Sequence, residues 1–304
     1  MQLVSNKKPN FLIVGAPKAG TTSLYYYLMQ HPDIIFPELK ETKFFSSQVI
    51  PYPQNGPGDW SIDKFAIKSK AEYCSLFENL KYHKFRGEAS PDYLVYAKKV
   101  SPIIKKTLGD IPIIISLRNP ISRSFSAYSN MLRDNRESLN FLDALKIEKQ
   151  RSKKGWDFMW KYAECSMYYN QVMSFKSQFS DVKIIFFEDL ISDPLKSINS
   201  ILSFLNLEKM DNLNQFSYNP SGIPINYFSK FILNRNNKLS IITREFLKFA
   251  VPRIWLEKVA KKSLRKLSIT DEETKFLRNI LIEDILNLQE FLKLDLINKW
   301  NINQ

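Results

Sequence analysis

Three short runs of apolar residues set the pattern of the first two thirds of the chain. They cover residues 11–14 (FLIV), 111–117 (IPIIISL) and 182–187 (VKIIFF). Runs of this length with few polar positions are typical of strands that are buried on both faces of a parallel sheet. Residues 85–88 (FRGE) predict one more short strand, which the nearby Pro91 prevents from continuing.

Apolar positions between these strands recur at helical spacing. Leu24, Tyr27 and Leu28 predict a first helix that follows the strand at residues 11–14. The charged stretch at residues 133–154 is expected to be partly helical and to face solvent. The other predicted helices cover residues 63–77, 95–108, 121–132, 166–179 and 193–205.

Strands that alternate with helices at these lengths predict an α/β fold. We expect three layers of the P-loop-like kind, in which helices flank a central parallel sheet and ligands bind outside the carboxyl ends of the strands. The strand pattern ends at residue 206, and the remaining chain predicts a loop and then mostly helices. We therefore expect one domain of residues 1–304, with a core over 10–205 and a helical extension over 206–304.

The composition narrows the class of partner. A net charge of +13 and a pI near 9.5 indicate anionic partners, such as nucleotides, acidic glycans, nucleic acids or anionic lipid surfaces. Cys74 and Cys165 have no metal-ligand or redox spacing and do not predict a disulfide framework. Because the sequence has no run of 18 apolar residues and no signal peptide pattern, we expect a soluble, cytoplasmic protein.

A loop of small residues follows the first predicted strand. Gly15 and Gly20 enclose the sequence Ala-Pro-Lys-Ala, and three hydroxyl residues at 21–23 open the next helix. Free backbone N–H groups and the positive end of a helix converge in such a loop, which is the geometry that binds phosphate. A P-loop has its lysine directly after the second glycine. Here Thr21 takes that position and Lys18 lies inside the loop, so a nucleotide phosphate is indicated, whereas magnesium-dependent triphosphate chemistry is not.

A second motif follows the strand at residues 111–117. Arg118 comes at the end of that strand, and Ser126 lies on the helix that follows, so both can contact one anion. Together with the loop PKAGTTSL at residues 17–24, the segment LRNPISRSFS at 117–126 resembles the two nucleotide motifs of the sulfotransferases that use 3′-phosphoadenosine 5′-phosphosulfate (PAPS). It is similar in particular to the heparan sulfate branch and its bacterial relatives.

The resemblance implies PAPS as co-substrate and assigns roles to residues. Lys18 would stabilise the charge that grows on the leaving 5′-phosphate, while Arg118 and Ser126 would hold the 3′-phosphate. Arg123 is expected to be structural because it lies on a different helix face from Ser126. The resemblance implies nucleotide binding by Lys18, Ala19, Gly20, Thr21, Thr22, Ser23, Arg118 and Ser126.

The resemblance also indicates the group that takes the proton from the acceptor. Glu41, in the segment KETKFF, matches the glutamate that acts as base in the heparan sulfate branch. Glu88, at the end of a predicted strand, is the alternative base, and we assign Lys43 and Glu88 to the acceptor side. No metal is expected, because the displaced Lys18 argues against a magnesium site.

The carboxyl-terminal third resembles the family less. Residues 219–224 (NPSGIP) resemble a loop that closes over adenine and the 3′-phosphate, but the basic residue that often follows is absent, with Arg235 or Lys238 as candidate substitutes. Residues 228–266 contain eleven Lys or Arg and two Glu, a balance of 11 − 2 = +9. A solvated basic face on packed helices is favoured, and a dock for an acidic glycan or the inner membrane leaflet is the alternative.

These features predict a PAPS-dependent sulfotransferase that acts on a hydroxyl or amine. The expected acceptor is a carbohydrate or a small-molecule hydroxyl, no nucleic acid partner is expected, and the oligomeric state is left open. Two alternative functions stay open. One is a magnesium-dependent P-loop kinase or NTPase, and the other is a non-catalytic binder of anionic polymers or membrane surfaces.

Overall fold

The structure is a computed structural model of the chain. It describes residues 8–51, 54–63, 65–80, 82–215, 222–225 and 267–302, with isolated positions between 230 and 265. The candidate residues Arg235 and Lys238 therefore lie outside the described residues, as does most of the basic segment at 228–266.

A five-stranded parallel sheet forms the centre of the fold. Its strands lie in the order β2-β3-β1-β4-β5, so the first long strand is central. The predicted α/β class with a parallel sheet flanked by helices is confirmed. The strands are β1 (Phe11–Gly15), β2 (Ile34–Ile35), β3 (Phe85–Ala89), β4 (Ile113–Leu117) and β5 (Val182–Phe186).

Helices connect the strands and cover the sheet. The long predicted helices are present, whereas the one expected at residues 63–77 is reduced to a short helix at residues 70–75, with another short helix that ends at residue 63. Those of the first half are α1 (Thr21–Leu28), α2 (Trp60–Asp63), α3 (Lys70–Ser75), α4 (Asp92–Val95), α5 (Ala97–Leu108) and α6 (Pro120–Arg133). Those of the second half are α7 (Phe141–Lys146), α8 (Glu148–Lys153), α9 (Tyr169–Lys176), α10 (Phe187–Ser192), α11 (Pro194–Phe204), α12 (Asp271–Leu292) and α13 (Leu296–Lys299).

Both faces of the sheet are buried, as the continuous apolar runs predict. Alternate residues of β1 enter different hydrophobic clusters: Leu12 and Val14 belong to one, and Phe11 and Ile13 to the other. All four side chains are completely buried. Because successive strand residues point to opposite faces, a strand covered on both sides shows no polar alternation.

The sequence prediction was wrong at residues 133–154, which do not simply face solvent. Arg151 forms a buried ion pair with Glu137, and Arg136 forms one with Asp59. A charged side chain can be buried when it is paired with an opposite charge and hydrogen-bonded. The local sequence pattern does not show which residue will be that partner. The short strand β2 also had no clear sequence signal. Beyond residue 206, where no strand was expected, Ile223–Pro224 (β6) pairs antiparallel with Leu264–Arg265 (β7).

The carboxyl-terminal helices pack back onto the core. Leu277, Leu281, Ile285 and Leu288 form one buried face of α12, and its amino end carries a capping box between Thr270 and Glu273. This face lies against α6, α7 and α9. No helix within the described residues is long and apolar enough to cross a membrane.

Candidate active site

A cavity of about 810 Å³ opens at the carboxyl ends of β1 and β4. It lies where the fold class places ligands, at the strand ends next to the first phosphate loop. Residues that the sequence singled out and that line the cavity are Lys18, Gly20, Thr21, Thr22, Ser23, Glu41, Lys43, Arg118 and Ser126. Two other candidates, Ala19 and Glu88, are not among the described residues that line it.

Side chains of strand β4 and helix α6 donate hydrogen bonds to the backbone of the loop between β1 and α1. Ser116 Oγ donates to the carbonyl of Ala19 at 2.5 Å, and Arg123 Nε donates to the carbonyl of Pro17 at 3.0 Å. Arg123 is completely buried, which agrees with its expected structural part. Because these carbonyls are bound from behind, the opposite side of the loop is left to face the cavity.

The amino end of α1 provides the free backbone donors of the site. Gly20 is its N-cap, and no side chain caps the helix. The first turn contains no acidic residue, so nothing within it opposes the positive helix end. The N–H groups of a first helical turn have no partner within the helix. Thr21, Thr22 and Ser23 all line the cavity, and this end of the helix can therefore bind a phosphate group.

Lys18 lies in the loop with its side chain directed to helix α6. Its Nζ donates to Asn130 Oδ1 at 2.7 Å, and its φ of 68° places the backbone in the left-handed region. Burial and, to a smaller extent, the nearby Arg133 lower the pKa of Lys18 from its usual 10.5 to about 7, an effect that the carboxylate of Asp134 partly offsets. A lysine in this state is ready to bind an anion, because a bound negative charge restores its proton.

Arg118 lies beside the loop, at the end of β4. Its guanidinium stacks over the ring of Phe187, with Cζ 4.5 Å from the ring centre. Its NH1 donates to the carbonyl of Lys18 at 3.2 Å. The backbone is fixed as well, because Tyr168 Oη donates to the carbonyl of Arg118 at 3.1 Å. Ser126 is half-buried on α6 and lines the same cavity. The two candidate 3′-phosphate residues therefore line one cavity.

Glu41 also lines the cavity and belongs to the segment between β2 and α2. Its backbone is left-handed with φ 64°, and its N–H donates to the carbonyl of Ala89 at 3.1 Å. The side chain is 44% exposed and pairs with Lys40. Burial raises the pKa of Glu41, but Lys40, Lys43 and Lys18 lower it more, so the net shift of the pKa is downward. The carboxylate is therefore charged and able to accept a proton at neutral pH.

Glu88 differs from its expected place on the acceptor side. It is only 1% exposed, and four hydroxyl groups donate to its carboxylate. These bonds tie the segment that carries Glu41 to strand β3. The donors are Thr42 at 2.6 Å, Ser90 at 2.7 Å, Tyr93 at 2.7 Å and Tyr73 at 2.6 Å.

The cavity also contains residues that the sequence reasoning missed. Asn130 and Arg133 lie on α6 at positions four and seven after Ser126, so helical spacing from Ser126 was the available signal. Asp92 comes directly after Pro91, and nothing in the local pattern marked it. Of the predicted closing loop at residues 219–224, Gly222 lines the cavity, while residues 219–221 lie outside the described residues.

Side chains of the metal-binding types do not cluster in the described part of the chain. No group of three or more His, Cys, Asp or Glu residues lies close enough there to hold a metal ion. Glu188 and Asp189, which follow β5, have other partners: Glu188 accepts from the backbone N–H of Asn119 at 2.8 Å, and Asp189 pairs with Lys299.

Comparisons with known proteins agree on one family. A model described as "Sulfotransferase family" matches residues 9–212. A crystal structure of a sulfotransferase from Alicyclobacillus acidocaldarius aligns with a TM-score of 0.76 and 28% identity, and the alignment covers 97% of this chain and 99% of that one.

Curated relatives carry the same chemistry in their names. The chain is 35% identical over 120 residues to the membrane-associated sulfotransferase kil1 of Dictyostelium discoideum, which covers 40% of this chain and 22% of that protein. It is 26% identical over 223 residues to the human heparan sulfate glucosamine 3-O-sulfotransferase 3B1. That alignment covers 72% of this chain and 52% of the human protein. The chain thus spans about a fifth and about half of the length of these two relatives.

Proposed function

Because the matched model places this chain in the sulfotransferase family, we propose that it transfers the sulfuryl group of PAPS to a hydroxyl or amine of an acceptor. The observation that carries the proposal is the meeting of Lys18, the amino end of α1 and Arg118 around one cavity. Each of the three binds anions by a different means, through an ammonium, free backbone N–H groups and a guanidinium. A ligand with two separate phosphate groups fits such a set.

The loop and Lys18 would bind the 5′ end of the donor. PAPS supplies the sulfuryl group and departs as 3′-phosphoadenosine 5′-phosphate. As the bond from sulfur to the bridging oxygen breaks, negative charge collects on that oxygen, and Lys18 with the N–H groups of α1 stabilises it. Such groups lower the barrier because they interact more strongly with the transition state than with the bound donor. Thr21, Thr22 and Ser23 complete the cradle, and the Ala19 side chain stays in the core.

Arg118 and Ser126 would hold the 3′-phosphate, which distinguishes this donor from ATP. The planar guanidinium binds a phosphate through two parallel hydrogen bonds, and Phe187 holds its plane in position. A lysine is not expected to replace Arg118, because an ammonium provides neither the fork nor the flat surface.

Glu41 would act as the general base. The acceptor oxygen or nitrogen attacks sulfur from the side opposite the leaving phosphate, a new bond to sulfur forms, and the acceptor proton passes to the Glu41 carboxylate. Glu88 would position this base: four hydroxyl donors satisfy its carboxylate, and Thr42, the neighbour of Glu41, is one of them. We assign Lys43 to the acceptor side, where its Nζ lies 5.7 Å from the ring centre of Phe158.

A carbohydrate hydroxyl is the acceptor class that we favour, since one matched relative is named for sulfation of a glucosamine in heparan sulfate. We also propose that residues 1–304 act as one domain. That the loop at residues 219–224 closes over adenine and the 3′-phosphate stays a prediction. Contact of the basic segment 228–266 with an anionic surface stays a prediction.

Transfer of labelled sulfate from PAPS to a panel of glycans tests the proposal. We expect turnover that falls about 10²–10⁴-fold in Lys18→Ala, which loses the stabilising charge, and by a similar factor in Glu41→Gln, which loses the base. Lys149→Ala and Glu290→Gln, at exposed positions, serve as matched controls and should keep full activity. Normal turnover in Lys18→Ala contradicts the mechanism.

A further inference from the structure

The charges around the cavity differ between its two ends. Lys18 and Arg118 stand where the donor phosphates bind. The remaining charged side chains that line the described part of the cavity are three cations, Lys43, Arg133 and Arg136, and three anions, Glu41, Asp92 and Asp134. They balance to 3 − 3 = 0, so the cavity apart from Lys18 and Arg118 carries no net charge, although the whole chain carries +13.

Two of these three cations already have anionic partners. Arg136 pairs with the buried carboxylate of Asp59. Arg133 Nε donates to Asp134 Oδ1 at 3.1 Å. A guanidinium that is already paired is a poor binding site for a further anion, because binding would require the existing pair to separate. Among the described residues, Arg133 and Arg136 are therefore not arranged to receive a sulfate or carboxylate group of an acceptor.

Asp92 adds an unused hydrogen-bond acceptor to the part of the cavity near Lys43 and Glu41, whose charges both act on it. It begins α4, lines the cavity and is only 2% exposed. Its Oδ2 accepts from Ser46 Oγ, while its Oδ1 is buried and has no hydrogen-bond partner. A buried carboxylate oxygen without a donor is costly, so a ligand that offers a donor here is stabilised. Burial raises the pKa of Asp92 to about 6, against the opposing effects of Lys43 and Ser46.

We infer that the acceptor is an uncharged polyhydroxy compound, such as an unsulfated, non-carboxylated sugar, and that Asp92 selects it. One hydroxyl of the acceptor faces Glu41 and is sulfated, and a second hydroxyl donates to Asp92 Oδ1. Asp92 is then a specificity residue that contacts the acceptor without taking part in bond making. The inference rests on the proposed function, because it assumes that Glu41 marks the position of the reacting hydroxyl.

Anionic acceptors are disfavoured by the same groups. A sulfate or carboxylate near Asp92 and Glu41 meets two negative charges in a partly desolvated space. Lys43 is the remaining lining cation at this end, and it already lowers the pKa of both carboxyl groups. The described acceptor end thus differs from a surface built to bind a polysulfated chain.

Matched pairs of acceptors test the inference. Neutral oligosaccharides, for example cello-oligosaccharides and malto-oligosaccharides, are compared with the same compounds oxidised to carboxylates at C6. We expect kcat/KM at least tenfold higher for the neutral members. Asp92→Ala should raise KM for them about tenfold with kcat nearly unchanged, and Asp92→Asn, whose amide oxygen still accepts, should recover most of the loss and improve the oxidised members.

The controls separate this inference from the proposed function. Asp33→Ala, at an exposed carboxylate, should change nothing, and calorimetric binding of 3′-phosphoadenosine 5′-phosphate to both Asp92 variants shows that they are folded. If the wild-type protein binds this nucleotide but prefers oxidised or sulfated acceptors, sulfates no neutral member, or is unaffected by Asp92→Ala, the inference is overturned and the proposed function stands. If it neither binds the nucleotide nor transfers sulfate from PAPS to any acceptor, the proposed function fails as well.

Discussion

Three residues with positive φ stand together at this site. Lys18, Glu41 and Lys43 all line the cavity, with φ of 68°, 64° and 53°. The left-handed conformation costs residues of this kind roughly 1–2 kcal/mol each. Such strain persists where the surroundings hold it in place, as the hydrogen bond from the Glu41 N–H to Ala89 does here. The three side chains are thereby held in directions that relaxed backbone would not give.

The lowered pKa of Lys18 predicts a pH dependence of nucleotide binding. In the ligand-free protein Lys18 is half neutral near pH 7 and mostly neutral at pH 8.5, because its pKa is about 7. Bound phosphate raises this pKa, so binding takes up a proton, and affinity falls as the pH rises above 7 by at most about tenfold per unit. Calorimetry at pH 8 in buffers of different ionisation enthalpy measures the uptake. We expect up to one proton in the wild type and none through this group in Lys18→Met; equal uptake in both contradicts the assignment.

Some residues of the site could be predicted from the sequence and others could not. Lys18 and Arg118 were predicted to act together because each belongs to a local motif at a strand end, and the fold places strand ends side by side. Asp92 was missed because its unused oxygen exists only when α4 packs against Ser46. Glu88 has the expected strand-end place, but its four hydroxyl donors come from three segments, and no local pattern shows that they converge.

At the scale of elements, the phosphate loop depends on what packs behind it. Gly20 has φ 84°, and a Cβ added there would lie 2.8 Å from Phe187 Cδ2. Phe187 in turn carries the stacked guanidinium of Arg118. The loop, α10 and the end of β4 are therefore packed as one unit, so a change in the loop reaches the second motif.

Gly20→Ala should accordingly weaken nucleotide binding and not only stability. The new methyl group must displace Phe187, which moves Arg118, and we expect about tenfold weaker binding of 3′-phosphoadenosine 5′-phosphate with a loss of roughly 1–3 kcal/mol in the free energy of unfolding. Calorimetry and denaturant unfolding measure the two effects.

The control is Gly109→Ala. Gly109 also has φ 84°, but a Cβ there meets nothing within 4 Å. Its substitution should cost stability alone. Unchanged binding in Gly20→Ala, or an equal loss of binding in both variants, contradicts the coupling of the loop to Arg118.

Elements differed in how well the sequence predicted them. The buried strands β1, β4 and β5 were predicted because continuous apolar runs leave few alternatives. The short strand β2 was not, since two residues carry no period. Residues 133–154 are partly helical as expected, but part of the stretch is buried, because Arg136 and Arg151 pair with carboxylates that only the tertiary fold brings near.

For the whole molecule, the carboxyl-terminal end stabilises the nucleotide side of the sheet. Trp300 accepts at its carbonyl from Asn119 Nδ2 at 2.6 Å, and its Nε1 donates to Glu188 at 3.3 Å. Asn119 directly follows Arg118, so the last described helices lie against the second nucleotide motif. This contact spans most of the chain length, and the sequence pattern could predict a helical extension but not where it docks.

Two phosphate sites, around Lys18 and around Arg118, are proposed to form one cavity for a nucleotide that carries both a 5′- and a 3′-phosphate. Two nucleotides that differ in the position of one phosphate test it: 3′-phosphoadenosine 5′-phosphate has a phosphate on the ribose 3′ oxygen, and ADP has it on the 5′ chain. Binding to wild type and to Arg118→Lys, measured by calorimetry at one ionic strength, compares the two directly.

We expect the wild type to bind 3′-phosphoadenosine 5′-phosphate at least about tenfold more tightly than ADP, and Arg118→Lys to lose most of that preference, since an ammonium cannot replace the stacked fork. Equal affinity for the two nucleotides, or a preference for ADP that requires magnesium, would contradict the assignment of a 3′-phosphate site to Arg118.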